Sequence, residues 1–230
     1  MAKRALIPED KEARRAAILE TALRLFHSGD GELPTASQVA SATGLAKGTV
    51  YIYFQTKEEI FATLLLEGWI PILEAIKRIF DSQGKNKSER VRTFIANFAG
   101  HLRRHPELLQ LDVIGSTVLE RNMPAEVLTK YQSVFGGHVI RAGESIDRAL
   151  DLESGRGVQI LVRTHALARG LWLSSQHNAN RAGKAVPREL ALTAKNYANE
   201  LKSALEEYWR GALAHPHRRK KAQRRPNHPA

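Results

Sequence analysis

The sequence predicts an all-α protein: a small N-terminal three-helix domain built around a helix-turn-helix, followed by a larger helical domain. Three observations carry that prediction. Apolar residues recur close to every 3.6 positions along most of the 230 residues, with no strand-like alternation. Leu, Ala, Glu, Lys and Arg, all good helix formers, dominate the composition. The stretch from Thr35 to Ile60 then gathers two capping signals and a turn glycine, the punctuation of short helices meeting at sharp angles.

Taken in order, a first helix is expected over about residues 9–28, with Ile18, Ala22, Leu25 and Phe26 on one apolar face. Gly29-Asp30-Gly31 ends it, and Pro34 precedes the next cap. Thr35 and Gln38 have capping-box spacing, Val39 and Ala40 supply a small apolar face, and Gly44 suits a turn that needs φ > 0. The helix-turn-helix is expected over about residues 35–54. Its second helix, Lys47 to Tyr53, carries lysine, threonine and two tyrosines with hardly any aliphatic stripe. A helix this short and polar cannot serve mainly to fill a core, so it reads as a recognition helix. Val50, Ile52 and Phe54 read as core positions with no outside role.

Thr56 and Glu59 repeat the capping box and open a long helix to about residue 80, with Ile60, Phe61, Leu64, Leu65, Ile72 and Ile76 at helical spacing. Pro71 inside it is expected to kink or break it. After a loop at 82–87, further helices are expected over 88–105, 107–121, 125–150, 155–177 and 187–214, with a polar loop at 179–186. The domains so defined are 1–56, 57–214 and a basic tail, 215–230. That tail has no apolar face to bury, so disorder is expected there.

The run of Thr35, Val39-Ala40, Gly44-Leu45, Lys47-Gly48-Thr49-Val50-Tyr51, Tyr53-Phe54 and Lys57-Glu58-Glu59-Ile60 resembles the TetR-type, tetracycline-repressor-like bacterial transcriptional regulators. The fixed-spacing likeness covers the first 60 or so residues; beyond them the chain matches in length and helical character. It departs from the family pattern at Ala46, where serine is usual, and at Thr43, where alanine is common. The resemblance implies a regulator that binds double-stranded DNA as a homodimer on a pseudo-palindromic operator. It further implies repression relieved by a small-molecule effector of unknown identity, bound in a helical effector-binding and dimerisation domain.

If the short helix docks as the family's does, Lys47, Gly48, Thr49 and Tyr51 face the major groove or its flanking phosphates. Thr35, Tyr53 and Lys57 would contact phosphate. Leu161, Ala168, Leu190, Tyr197, Leu201 and Tyr208 lie in two seams stepping by three and four, which the resemblance places at a dimer interface. The same seams could instead face their own domain's core. Phe94, Phe98, Thr117, Tyr131, Phe135, His138 and Trp172 are aromatic or polar positions that could line an effector pocket.

Other chemistry finds little support. His101 and His105 stand at i and i+4, but Arg103 and Arg104 between them oppose a cation, so they read as a solvated basic face rather than a metal site. No catalytic residue, metal or cofactor is expected: the chain has no cysteine, no G-x-S-x-G, no H-E-x-x-H and no Gly-rich phosphate loop. The net charge of +11 includes six charges in the tail, whereas residues 1–56 hold seven basic and six acidic side chains. The motif, not bulk charge, therefore carries the DNA reading. Two alternatives stand beside it: a sequence-indifferent DNA binder using the tail, and a helical metal-dependent enzyme. With no apolar leader and no run long enough to span a bilayer, a soluble cytoplasmic protein is expected, without membrane partners.

Overall fold

The computed structural model describes residues 8–29, 32–115, 120–179 and 197–214. Among them the order is α1 (Pro8–Ser28), α2 (Ala36–Thr43), α3 (Lys47–Tyr53), α4 (Lys57–Asp81), α5 (Lys87–Arg104), α6 (Pro106–Ile114), α7 (Glu120–Asn122), α8 (Ala125–Leu150), α9 (Arg156–Ala179) and α10 (Tyr197–Ala214). The all-α expectation holds. The described residues contain no helix long and apolar enough to cross a membrane.

Contacts divide the chain into two compact units, Met1–Leu73 with His101–His138, and Glu74–Gly100 with Val139–Ala230. This division does not follow the boundary at 56/57 expected from the capping signals. The first four turns of α4 and all of α6 share a unit with the helix-turn-helix. Capping residues mark where a helix begins, not which helices share a core.

In the first unit, α2 packs on α1 and α3. Ile18, Ala22, Phe26, Val39, Val50 and Phe61 are fully buried, and the Phe26 and Phe61 rings lie 6.1 Å apart. Pro71 does not break α4, which runs unbroken to Asp81. Pro71 is exposed there, so its missing N–H is felt on the wet side of the helix. Within the expected 107–121 helix, α6 is described to Ile114 with Gly115 as its cap, and residues 116–119 lie outside those described.

The second unit is built around Trp209, which is fully buried, stacks on Phe80 at 6.0 Å and meets Phe94 at 4.8 Å. α8 and α9 approach at a pair of glycines. A Cβ on Gly143 would stand 2.5 Å from Val158, and one on Gly157 would strike the Gly143 carbonyl. Asp147, buried on α8, accepts from Gly155 N–H at 2.8 Å and from Gly157 N–H at 2.5 Å. It thereby satisfies orphan donors and complements the positive end of α9.

Candidate nucleic-acid interface

The helix-turn-helix is set by local chemistry. Thr35 caps α2: Gln38 N–H donates to Thr35 Oγ1 at 3.2 Å, and Thr35 N–H donates to Gln38 Oε1 at 2.8 Å. Gly44 takes the left-handed conformation, φ +68°, and Leu45 N–H then reaches the Ala40 carbonyl at 2.9 Å. Ala46, lacking a hydroxyl, caps α3 with no side-chain hydrogen bond. Thr43 turns its hydroxyl back onto the carbonyls of Val39 and Ala40. At the far end of α3, Glu59 N–H donates to Thr56 Oγ1, and Glu59 Oε2 accepts from Gln55 N–H rather than from Thr56, so half of the expected second capping box forms. Arg15 of α1 lies over the Phe54 ring at 5.3 Å from its centre, and Phe54 itself is buried.

These contacts leave one side of α3 bare. Lys47 and Gly48 are exposed, Tyr51 is 45% exposed, and Ile52 is 74% exposed. Lys47 Nζ lies 6.0 Å from the centre of the Tyr51 ring. Thr49 and Lys57 are half-buried, Lys57 Nζ standing 4.0 Å from Glu58, and Thr35 is exposed. A Cβ on Gly48 would meet nothing within 4 Å, so no protein contact demands glycine there.

Two sequence expectations need correction. Ile52 is not a core residue: Val50 fills the inner position and is fully buried, while Ile52, two residues on, is turned to solvent. A seven-residue helix has one inner stripe, and Val50 occupies it. Tyr53 does not offer a free phenol, because its hydroxyl is enclosed and has no hydrogen-bond partner among the described residues.

The seams on α9 and α10 are largely turned inward. Leu161, Ala168 and Leu201 are buried within the single chain, and Tyr197 donates to the Ala168 carbonyl at 3.1 Å, fastening α10 to α9. Tyr208 is half-buried with its hydroxyl enclosed, and Leu190 lies outside the described residues. The heptad spacing expected to meet a partner therefore serves the α9–α10 contact inside the chain. Val162 and Leu173, 56% and 39% exposed, face outward on α9 instead.

The described pocket candidates are divided between the two units. Phe94 and Phe98 are buried side by side, Phe94 against Trp209, and Trp172 is half-buried in the same unit. Tyr131 and Phe135 stack at 6.2 Å in the first unit, which also holds half-buried His138; Thr117 lies outside the described residues. A cavity of about 350 Å³ lies in the first unit, and none of the seven lines it. Its walls include Leu23, Leu64, Glu67, His101, His105 and Glu107. His101 and His105 both front this cavity, their rings 4.5 Å apart, while His105 and the neighbouring Arg103 and Arg104 are exposed as expected. Glu107, two residues beyond His105, was the signal in the sequence that a polar cluster forms here. Among the described residues no group of three or more His, Asp or Glu is gathered to hold a metal ion.

A capped helix-turn-helix whose second helix presents a bare polar and apolar side defines a helix-turn-helix DNA-binding protein. Residues 18–64 match the family model for bacterial regulatory proteins of the tetR family, and residues 66–216 match the tetracyclin repressor-like C-terminal domain. The chain belongs to the TetR family of DNA-binding transcription regulators. It is 38% identical over 60 residues to the HTH-type transcriptional regulator YfiR of Bacillus subtilis, a match spanning 26% of this chain and 29% of that one. It is 24% identical over 153 residues to the fatty acid metabolism regulator protein of Bacillus subtilis, covering 64% of this chain and 78% of that one. Among solved structures it is similar in fold to SmeT, the repressor of the Stenotrophomonas maltophilia multidrug efflux pump SmeDEF. There the TM-score is 0.52 at 20% identity, covering 85% of this chain and 91% of SmeT.

Proposed function

We propose that the chain is a repressor that binds a pseudo-palindromic operator as a homodimer and leaves it when a small molecule binds the helical domain. The single observation that carries the DNA-reading part is the bare side of α3, where Lys47, Gly48, Tyr51 and Ile52 are exposed together. Lys47 supplies charge for phosphate or guanine, and Ile52 supplies an apolar end for a thymine methyl. Thr49 sits at the edge of that side and reaches a base edge, while Thr35 and Lys57 flank it for phosphate.

One short helix contacts too few base pairs to specify a site, so two copies are needed. The outward residues of α9, Val162, Ala166, Gly170 and Leu173, form an apolar, small-residue stripe suited to pairing with its own copy. Release requires an effector that favours one arrangement of the two reading heads over the other, since equal affinity for both shifts nothing.

Selection of preferred duplexes from a random pool, at a fixed salt concentration, tests this reading. A two-fold-related motif is expected. Recovery of unrelated sequences that bind only at low salt would favour a sequence-indifferent binder instead.

A further inference from the structure

The cavity in the first unit has two kinds of wall. Leu23 of α1, Leu64 of α4 and Leu108 and Leu111 of α6 make an apolar side. Glu67, His101, His105 and Glu107 make a polar side, and the lining contains no lysine or arginine. A volume of about 350 Å³ falls within the range that holds small organic molecules.

Pairing decides the charge of the polar side. Glu67 is matched by Arg15 at 3.4 Å. Glu107 has a different situation: its side chain is 17% exposed, and its ion-pair partners among the described residues are His105 Nδ1 at 3.1 Å and His27 Nε2 at 3.8 Å. Both are charged only when protonated. His101 is pushed toward its neutral form by burial and by the neighbouring His105 and Arg104 charges, with Glu107 pulling the other way. The cavity is thus fronted by a largely covered carboxylate whose ion-pair partners among the described residues are imidazoles. Such a group stabilises a cation delivered to it and repels an anion.

We propose that this cavity binds an organic cation, a protonated amine carried on an apolar body. The ammonium donates to Glu107, with neutral imidazole nitrogens as further acceptors, and the body lies against Leu23, Leu64, Leu108 and Leu111. α4 and α6 approach closely at Gly68, where a Cβ would strike the Leu108 side chain. An occupant also touches α1 through Leu23, and α1 is the helix on which α2 rests. The consequence for DNA rests on the repressor reading above; the binding itself does not.

Calorimetric titration of the full chain near neutral pH, without DNA, separates the two. The probes are 4-phenylbutylamine, 4-phenylbutanol and 4-phenylbutyrate, one body with a positive, neutral or negative head. The amine is expected to bind about tenfold tighter than the alcohol, with the carboxylate weakest. Glu107→Gln should remove that preference while leaving the alcohol within about twofold, which also shows that the variant is folded. No binding by the amine, tightest binding by the carboxylate, or an amine preference that survives Glu107→Gln would each overturn the site. Displacement of bound DNA by the amine is measured separately. Binding without displacement contradicts the release step and leaves the site standing.

Discussion

Trp209 Nε1 donates to Thr164 Oγ1 at 3.1 Å, inside a core where the tryptophan is fully buried and the threonine 1% exposed. The threonine hydroxyl in turn donates to the Ile160 carbonyl at 2.8 Å. α10 is therefore fixed to α9 by a directional contact as well as by packing. Replacing Thr164 by valine keeps the shape and removes the acceptor, leaving a buried indole N–H unpaired. A loss of about 1–3 kcal/mol is expected, read by chemical denaturation, with most of it recovered in Thr164→Ser. An unchanged midpoint in Thr164→Val would show that the indole finds another partner.

Tyr53→Phe is expected to keep DNA affinity within about twofold, and to leave stability unchanged or raise it by about 1 kcal/mol, because the hydroxyl it removes is enclosed and unpartnered. Binding isotherms and thermal melts of the two proteins decide the matter. A tenfold loss of affinity would mean that the side chain swings out to reach phosphate.

Ile52 is expected to discriminate thymine by its methyl group. On the selected duplex, replacing one thymine in each half-site by deoxyuridine should cost the natural protein about fourfold per contacted methyl, near 0.8 kcal/mol. Ile52→Ala should be indifferent to the same replacement. Equal sensitivity in both proteins would remove Ile52 from base readout.

The cluster around His101 has a signed pH consequence. Its folded-state pKa lies below the ordinary 6.5, first through burial and then through the charges of His105 and Arg104, with Glu107 opposing. The unfolded chain then binds the extra proton first, so stability is full above about pH 6.5 and declines as pH falls from there toward the depressed value. His101→Gln should flatten that slope in denaturation midpoints measured across the window. His27 and His105 also face Glu107, at 3.8 and 3.1 Å. A steeper slope in the variant would contradict the assignment.

Much of the reading head was legible because its punctuation is local. The Thr35 capping box, the Thr56 cap and the Gly44 turn each depend on residues at most five apart, and each forms, although Glu59 reaches back to Gln55 N–H instead of Thr56. What was not legible depends on which faces meet. The three-four spacing of Leu161, Ala168 and Leu201 is the same whether the partner is another chain or the neighbouring helix, and burial within one chain decides for the latter. Ile52 looked like core because it is aliphatic, yet a helix of two turns has room for one inner position, and Val50 holds it. Asp147 lies eight and ten residues before the amides it accepts from, Gly155 and Gly157, too far for any capping pattern to show. Phe94 meets Trp209, more than a hundred residues on, a contact that no local spacing shows.

The claim that α3, rather than the basic residues of 215–230, carries sequence discrimination has one direct test. Binding of the selected duplex and of a scrambled duplex of equal length is compared at physiological salt, for the full chain and for a chain ending at Ala214. The account predicts that the ratio between the two duplexes, on the order of a thousandfold or more, survives the truncation. Both affinities should fall together, with a shallower salt dependence. A ratio that collapses toward one in the truncated chain, while its helices remain folded, would contradict it.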